Sequence, residues 1–402
     1  MQTSKGRTFH IGLLAHSLSS ENLGIGAFTI ANIAIIGKAI EARGGSPVFH
    51  IIGSRGRKDY RHASNWPSDF TNIGLKGLAM PGSELRQMIK RCDAFFAIAG
   101  GDSLTDLYGY KRLTRLVGAR VLAAQTGKPI VMSPQTIGPF TTRLGRLAGG
   151  MALARADKIF ARDAMSFAAL EGFGVQDKSE LTTDLAFLLP FEESPKKTQQ
   201  EYTSGDWDVG INVSGLLFGI SKGHGGRIRL NLDYAAFTRK TIERLIADPR
   251  VGRVHIVPHV LSPHFPGDDD GTASRQLKAE YPELVLAPDF SSPSQAKSYI
   301  SSLDLLLGAR MHATVAAVSS DTAVLPLAYS RKFNGLYGSL NYPHLVDMVN
   351  GDEKTALATV DHVLDNLATV ASDAAQAKAL AQSKLSSYIE YVDRFADELV
   401  KA

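Results

Sequence analysis

The chain has 402 residues, 44% of them hydrophobic and 21% charged, with 37 Gly and 17 Pro, which is enough apolar material for a large core and a length suited to two or three domains. Its 44 basic and 40 acidic residues leave a net charge of +4, too small an excess for a nucleic-acid-binding surface, so a small phosphorylated substrate fits better. The one cysteine, Cys92, excludes an internal disulfide and a cysteine-built zinc site and suits a reducing compartment.

In chain order, "MQTSKGRTFHIGLLAHS" carries too short an apolar run for a signal peptide, and no segment reaches the roughly 20 apolar residues of a membrane span. The expectation is a cytoplasmic protein. Short β-like runs then alternate with helical patterns: "FHIGLLAH" and 25–42, "PVFHII", "AFFAIAG" and 108–126, "PIVMSP" and 142–155, "DKIFAR" and 164–172. That alternation predicts βαβ units and a parallel sheet covered by helices, a Rossmann-like domain over residues 1–190. The polar stretch 191–206 reads as a linker. A second series begins at "WDVGINVSG" and continues through 232–247, "RVHIVPHV", 271–281, "LVLAP", 294–300, "LDLLLG", 311–320 and "TAVLPLAY", predicting a second Rossmann-like domain over 207–370. Two open sheets are thus expected to face each other, with ligands between them at the carboxyl ends of the strands. Over 371–402, Leu380, Leu385, Tyr388, Ile389, Val392, Phe395 and Leu399 share one helical stripe, which predicts a long amphipathic helix packing back on the body.

Charged and small residues gather at the predicted strand ends. Arg310 and His312 in "LDLLLGARMHA" follow an apolar strand and open a helix, where unpaired N–H groups and the helix dipole favour an anion. Arginine adds a planar fork for carboxylate or phosphate, and histidine a hydrogen bond or a proton near neutral pH. "AIAGGDSLTD" puts Gly101 and Asp102 at another strand end, "SPQTIGP" puts Gln135 there, and "FARDAMSF" adds Arg162 with Asp163 or Ser166 as helix caps. "NLGIGAFT" is a poor dinucleotide loop, since Thr29 stands where the third glycine belongs and "HIIGSRG" lacks the ribose-binding acid. His255, His259 and His264 fit no metal motif, and "DDDG" at 268–271 reads as a helix N-terminal acid cluster rather than a calcium loop. No metal is expected. "SKGHGGR" reads as a loop.

Taken in order, "NLGIGA", "GGDSLTD", "PQTIGP", "FARDAMS", "TTDLAF", "GARMHA" and "PLAYSRKFNGL" resemble the polysaccharide pyruvyl transferase family over essentially the whole chain. The resemblance implies a glycosyltransferase-B-like pair of Rossmann-like domains, with the acceptor on the N-terminal one and the donor anion on the C-terminal one. It implies transfer of pyruvate from phosphoenolpyruvate to a sugar as a cyclic ketal, without a further cofactor. Arg162, Arg310 and His312, with Lys332, match the positions of the family's phosphoenolpyruvate contacts, and His312 is the candidate acid or phosphate partner. Asp102 and Asp184 are candidate bases for the acceptor hydroxyls, and Asn22, Gly101 and Gln135 are candidate substrate contacts. Ile25 stands where many members have Asp. A lipid-linked acceptor would place the protein at the inner face of the membrane. Two rival readings share the pattern: a nucleotide-sugar glycosyltransferase of the same architecture and a non-catalytic glycan-binding protein.

Overall fold

The computed structural model describes residues 6–101, 103–221, 228–262, 264 and 266–402. Most of the "SKGHGGR" loop lies outside them, as does Asp102. The chain forms two compact units, one made of Met1–Ser20, Ile25–Leu185 and Gln382–Ala402, the other of Glu21–Gly24 and Ala186–Ala381.

The first unit holds seven strands: β1 (Thr8–Leu14), β2 (Ser46–Gly53), β3 (Ser68–Asn72), β4 (Ala94–Ala97), β5 (Ile130–Gln135), β6 (Lys158–Ala161) and β7 (Ser179–Leu181). They pair in the order β3-β2-β1-β4-β5-β6-β7, all parallel, with β1 in register with β2 from Thr8↔Ser46 and with β4 from Ile11↔Ala94. Every residue of β4 and β5 is buried, as expected of strands covered on both faces. The helix Leu23–Glu41 is apolar all round and long enough to cross a membrane, but 83% of its most apolar window is buried in the protein, so it serves as a core helix.

The second unit repeats the plan with β8 (Trp207–Asn212), β9 (Val251–Ile256), β10 (Val285–Leu286), β11 (Leu305–Gly308), β12 (Ala323–Ala328) and β13 (Val346–Asp347), in the parallel order β10-β9-β8-β11-β12-β13. In each sheet the chain reverses its direction of growth beside the first strand, between β1 and β4 and between β8 and β11. Carboxyl ends of strands at such a switch are where open parallel sheets bind ligands.

The stretch expected to be a linker contains a helix, Gln199–Ser204, started by a capping box between Thr198 and Glu201. The C-terminal helix runs from Leu367 to Lys401. Leu367 and Val370 belong to the core of the second unit, and Tyr388 and Phe395 pack edge-on against Phe160 and Phe96 of the first. Its buried stripe is Ala374, Ala377, Ala381, Leu385, Tyr388, Val392 and Phe395, whereas Leu380, Ile389 and Leu399 lie at its margin. Alanines continue the stripe where hydrophobic bulk alone would have pointed to Leu380. Tyr388 Oη donates to Asn32 Oδ1 at 2.5 Å and lies 3.0 Å from Ser133 Oγ, while Asn32 Nδ2 donates to Ser133 Oγ and to His16 Nε2, both at 2.9 Å. All four side chains are buried, so this network fixes the last part of the helix by matched polar groups as well as by packing.

Candidate functional site

In the second unit the strand ends of β8 and β11 are tied by one side chain. Asn212, the last residue of β8, accepts from the Arg310 backbone N–H at 2.8 Å and donates to Val257 O at 2.8 Å, pinning the chain just past β9 and β11. Arg310 is the N-cap of the helix Met311–Ser319 and keeps extended backbone angles. Arg310 is 8% exposed, and its guanidinium is held by two carboxylates: Nη2 meets Asp268 at 2.5 Å and Asp270 at 2.7 Å, and Nε meets Asp270 at 3.1 Å. Nη1 stays out of both pairs. Burial pushes the pKa of Arg310 down, but Asp270 and Asp268 outweigh it and hold the group above its ordinary value, so it is always charged.

Asp270 is fully buried and accepts from the backbone N–H groups of Gly215, His259 and Val260 at 2.8, 3.1 and 2.9 Å as well as from Arg310. It therefore joins three chain segments at one point. The acid-cluster reading of "DDDG" holds for its neighbour Asp269, which caps the helix Asp270–Glu280.

His312 opens the helix two residues after Arg310, with its ring against the first glycine-rich loop. A Cβ on Gly24 would lie 2.1 Å from His312 Nδ1, so only glycine permits that approach. The loop is held there by pairing with the segment after β9: Asn22 bridges Val260, Leu261 N–H donates to Glu21 O at 3.1 Å and Leu23 N–H to His259 O at 3.4 Å. Asn22, expected at the substrate, spends its Oδ1 on the Gly24 N–H at 2.9 Å. Lys332 is half-buried near the start of the helix Arg331–Ser339, which follows β12, the strand beside β11. His259 is buried with both ring nitrogens lacking a hydrogen-bond partner among the described residues. Burial, with lesser effects from His312 and Arg310, lowers its pKa to about 3 and keeps it neutral.

In the first unit Arg162 follows β6. Its Nη1 pairs with the buried Asp184 at 2.9 Å, and its Nε lies 3.7 Å from Asp163, whose carboxylate caps the helix Ala164–Ala168. Asp184, a candidate base, stands here as the counter-ion of Arg162. Gln135 and Arg162 line a small recess together with Gly100 and Thr136, and Gln135 Oε1 is buried without a partner among the described residues while Nε2 donates to Ala97 O and Ser133 O. Gly101 is needed for close packing, since a Cβ there would come within 2.6 Å of the Ile25 side chain.

Sequence reasoning missed four groups around these sites. Asn212 carries no motif, although a polar residue ending an apolar strand is a usable signal, and Asp270 reads only as part of the "DDDG" acid cluster. Arg120 is fully buried and donates to Ile98 O and Leu116 O, and burial lowers its pKa to about 10. Arg112 donates to Ser103 O and Ala99 O, so two arginines gather the carbonyls of the "IAGGDS" turn. Elsewhere His255 bonds Tyr299 and Asp208, and no group of metal-ligating side chains occurs among the described residues.

A model of the polysaccharide pyruvyl transferase family matches residues 36–331, most of the chain. No curated protein matches in sequence. Among solved structures, S. aureus MnaA with UDP aligns at a TM-score of 0.57 and 12% identity over 96% of each chain. HepE of Anabaena with UDP and glucose aligns at 0.55 and 12% over 98% of this chain and 99% of its own. Sucrose-phosphate synthase of Thermosynechococcus elongatus aligns at 0.53 and 12% over 97% and 99%. At such identities the likeness is one of fold: two parallel-sheet α/β domains, as the alternation of elements predicts, of the glycosyltransferase-B type, as the family resemblance implies.

Proposed function

The chain belongs to the polysaccharide pyruvyl transferase family, and on that premise we propose that it moves pyruvate from phosphoenolpyruvate onto a sugar of a polysaccharide or its precursor, forming a cyclic ketal and releasing phosphate. The observation that carries this reading is the grouping of Arg310, His312 and a helix N-terminus at the β8/β11 strand ends of the second unit. Phosphoenolpyruvate carries a carboxylate and a phosphate on a three-carbon skeleton, and an arginine fork at the positive end of a helix dipole suits such an anion.

The reaction balances without a redox partner. A proton is added to the donor's methylene carbon, which becomes a methyl group, and an oxocarbenium-like centre forms beside the carboxylate. One sugar hydroxyl bonds to that carbon and gives up its proton. The carbon–oxygen bond to phosphate then breaks, a second hydroxyl closes the ring, and its proton leaves with phosphate. His312 is positioned to supply the first proton or to hold the phosphate. Arg162 and Asp184, with Asn22, Gly101, Gln135 and Lys332, remain candidate contacts, and Asp102 a candidate base. The reading calls for no resident cofactor or metal, because the enol phosphate supplies both the activated carbon and the leaving group. It places the enzyme in the cytoplasm, at the inner membrane face where the acceptor is lipid-linked.

The fold favours a second reading, since MnaA and HepE were solved with UDP. Incubation with phosphoenolpyruvate and a panel of sugar acceptors separates the two. Acceptor-dependent release of phosphate supports pyruvyl transfer, and release of a nucleoside diphosphate from a nucleotide sugar, with phosphoenolpyruvate untouched, supports glycosyl transfer.

A further inference from the structure

Beside His312 the second unit buries another imidazole, His259, at 4% exposure with neither ring nitrogen hydrogen-bonded among the described residues. Buried polar side chains with no partner are few in folded proteins, and each calls for an explanation. The backbone at this position is held at both polar groups: the His259 N–H donates to Asp270 and its carbonyl accepts from Leu23. The titratable and charged groups around it come from the elements packed there. The helix Met311–Ser319 contributes His312, its cap contributes Arg310, which also holds Asp268, and the helix Asp270–Glu280 contributes Asp270.

The fixed charges nearest the ring are Arg310 against Asp268 and Asp270, a sum of one negative charge. A donor carrying nearly three negative charges favours any group at such a site that can gain positive charge. Arg310 is already ionised, so the two imidazoles are the groups beside it that can supply that charge.

We propose that His259 contacts the donor anion, and that the His259–His312 pair takes up one proton from solvent when the donor binds, leaving one imidazolium and one imidazole toward the phosphate. The proton goes onto a ring nitrogen lone pair, no covalent bond is broken, and the complex gains one positive charge. This rests on the pyruvyl transfer reading, which supplies the donor.

Calorimetric titration of the whole protein with phosphoenolpyruvate at pH 8, in buffers of different ionisation enthalpy, counts the protons taken up. The expected result is about one proton per donor bound in the wild type, with log Kd rising with pH at a slope of about one. His259→Gln should lower that uptake by half or more and weaken binding roughly tenfold. Should that variant not fold, the wild-type slope decides alone. Binding without proton uptake, or a folded His259→Gln with wild-type affinity and uptake, overturns the inference and leaves pyruvyl transfer standing. Wild-type protein that binds no phosphoenolpyruvate overturns the functional reading itself.

Discussion

Two buried arginines stand just past parallel strands, one in each unit, and they differ in what surrounds them. Arg162 meets one buried carboxylate, Asp184, with a looser contact to Asp163. Arg310 is gripped by Asp268 and Asp270, its backbone is fixed by Asn212, and two imidazoles lie within electrostatic reach of it. In sequence the two look alike, as "FARDAMS" and "GARMHA". The difference teaches that a buried arginine is not by itself an anion site. What counts is how many of its donors are already spent and which groups beside it can change charge.

The largest expected effect lies at the carboxylates. Asp270→Ala leaves Arg310 with Asp268 alone and removes the acceptor for three backbone N–H groups, so it should cost at least the roughly 3–5 kcal/mol of a broken buried ion pair. Asp184→Ala should cost less, since Arg162 keeps Asp163 nearby. Urea denaturation of both variants checks this, and equal losses would break the comparison.

Next comes Arg310→Lys, which keeps a charge for Asp270 but loses the planar fork. At subsaturating phosphoenolpyruvate its kcat/KM should fall by about 2–4 kcal/mol, or roughly 30- to 1000-fold, with folding retained. Near wild-type turnover would remove Arg310 from the donor site.

Acid sharpens the contrast between the buried imidazoles. Burial holds His16 in the first unit and His259 in the second at about 3, against an ordinary value of 6.5. Both folded-state values are lowered, so the unfolded chain binds the proton first. The stability they permit is therefore present above pH 6.5 and lost as pH falls toward about 3. Each should contribute a loss of about 1.4 kcal/mol per pH unit in that range. His259→Gln should flatten the slope by one such contribution, and an unchanged slope would contradict its buried, neutral state.

The smallest effect is Tyr388→Phe, which removes the hydroxyl from the Asn32–Ser133 network and should cost about 1 kcal/mol. No change in melting temperature would mean that the network contributes nothing to docking the end of the C-terminal helix.

The alternation of β11, β12 and their helices was legible because short runs such as "LLLG" and "AVLPLA" are buried on both faces and so stay apolar throughout. β3 escaped because "SDFTN" is a half-polar edge strand, and β13 because it is two residues long. Arg310 and His312 were legible as charge set against an apolar run. Their supports were not: Asp270 lies 40 residues away in sequence and Asn212 98, and no local pattern links them. Gly24 shows the same limit. It reads as part of a nucleotide-like loop, whereas its lack of a side chain makes room for His312.

The account turns on donor chemistry, and phosphoenolpyruvate carrying carbon-13 at its methylene position tests it most directly. With a sugar acceptor, the label should appear by NMR in a methyl group on a quaternary ketal carbon of the product, with one phosphate released per acceptor. A label that stays in a vinyl group, or a product without label formed as a nucleoside diphosphate accumulates, would contradict it.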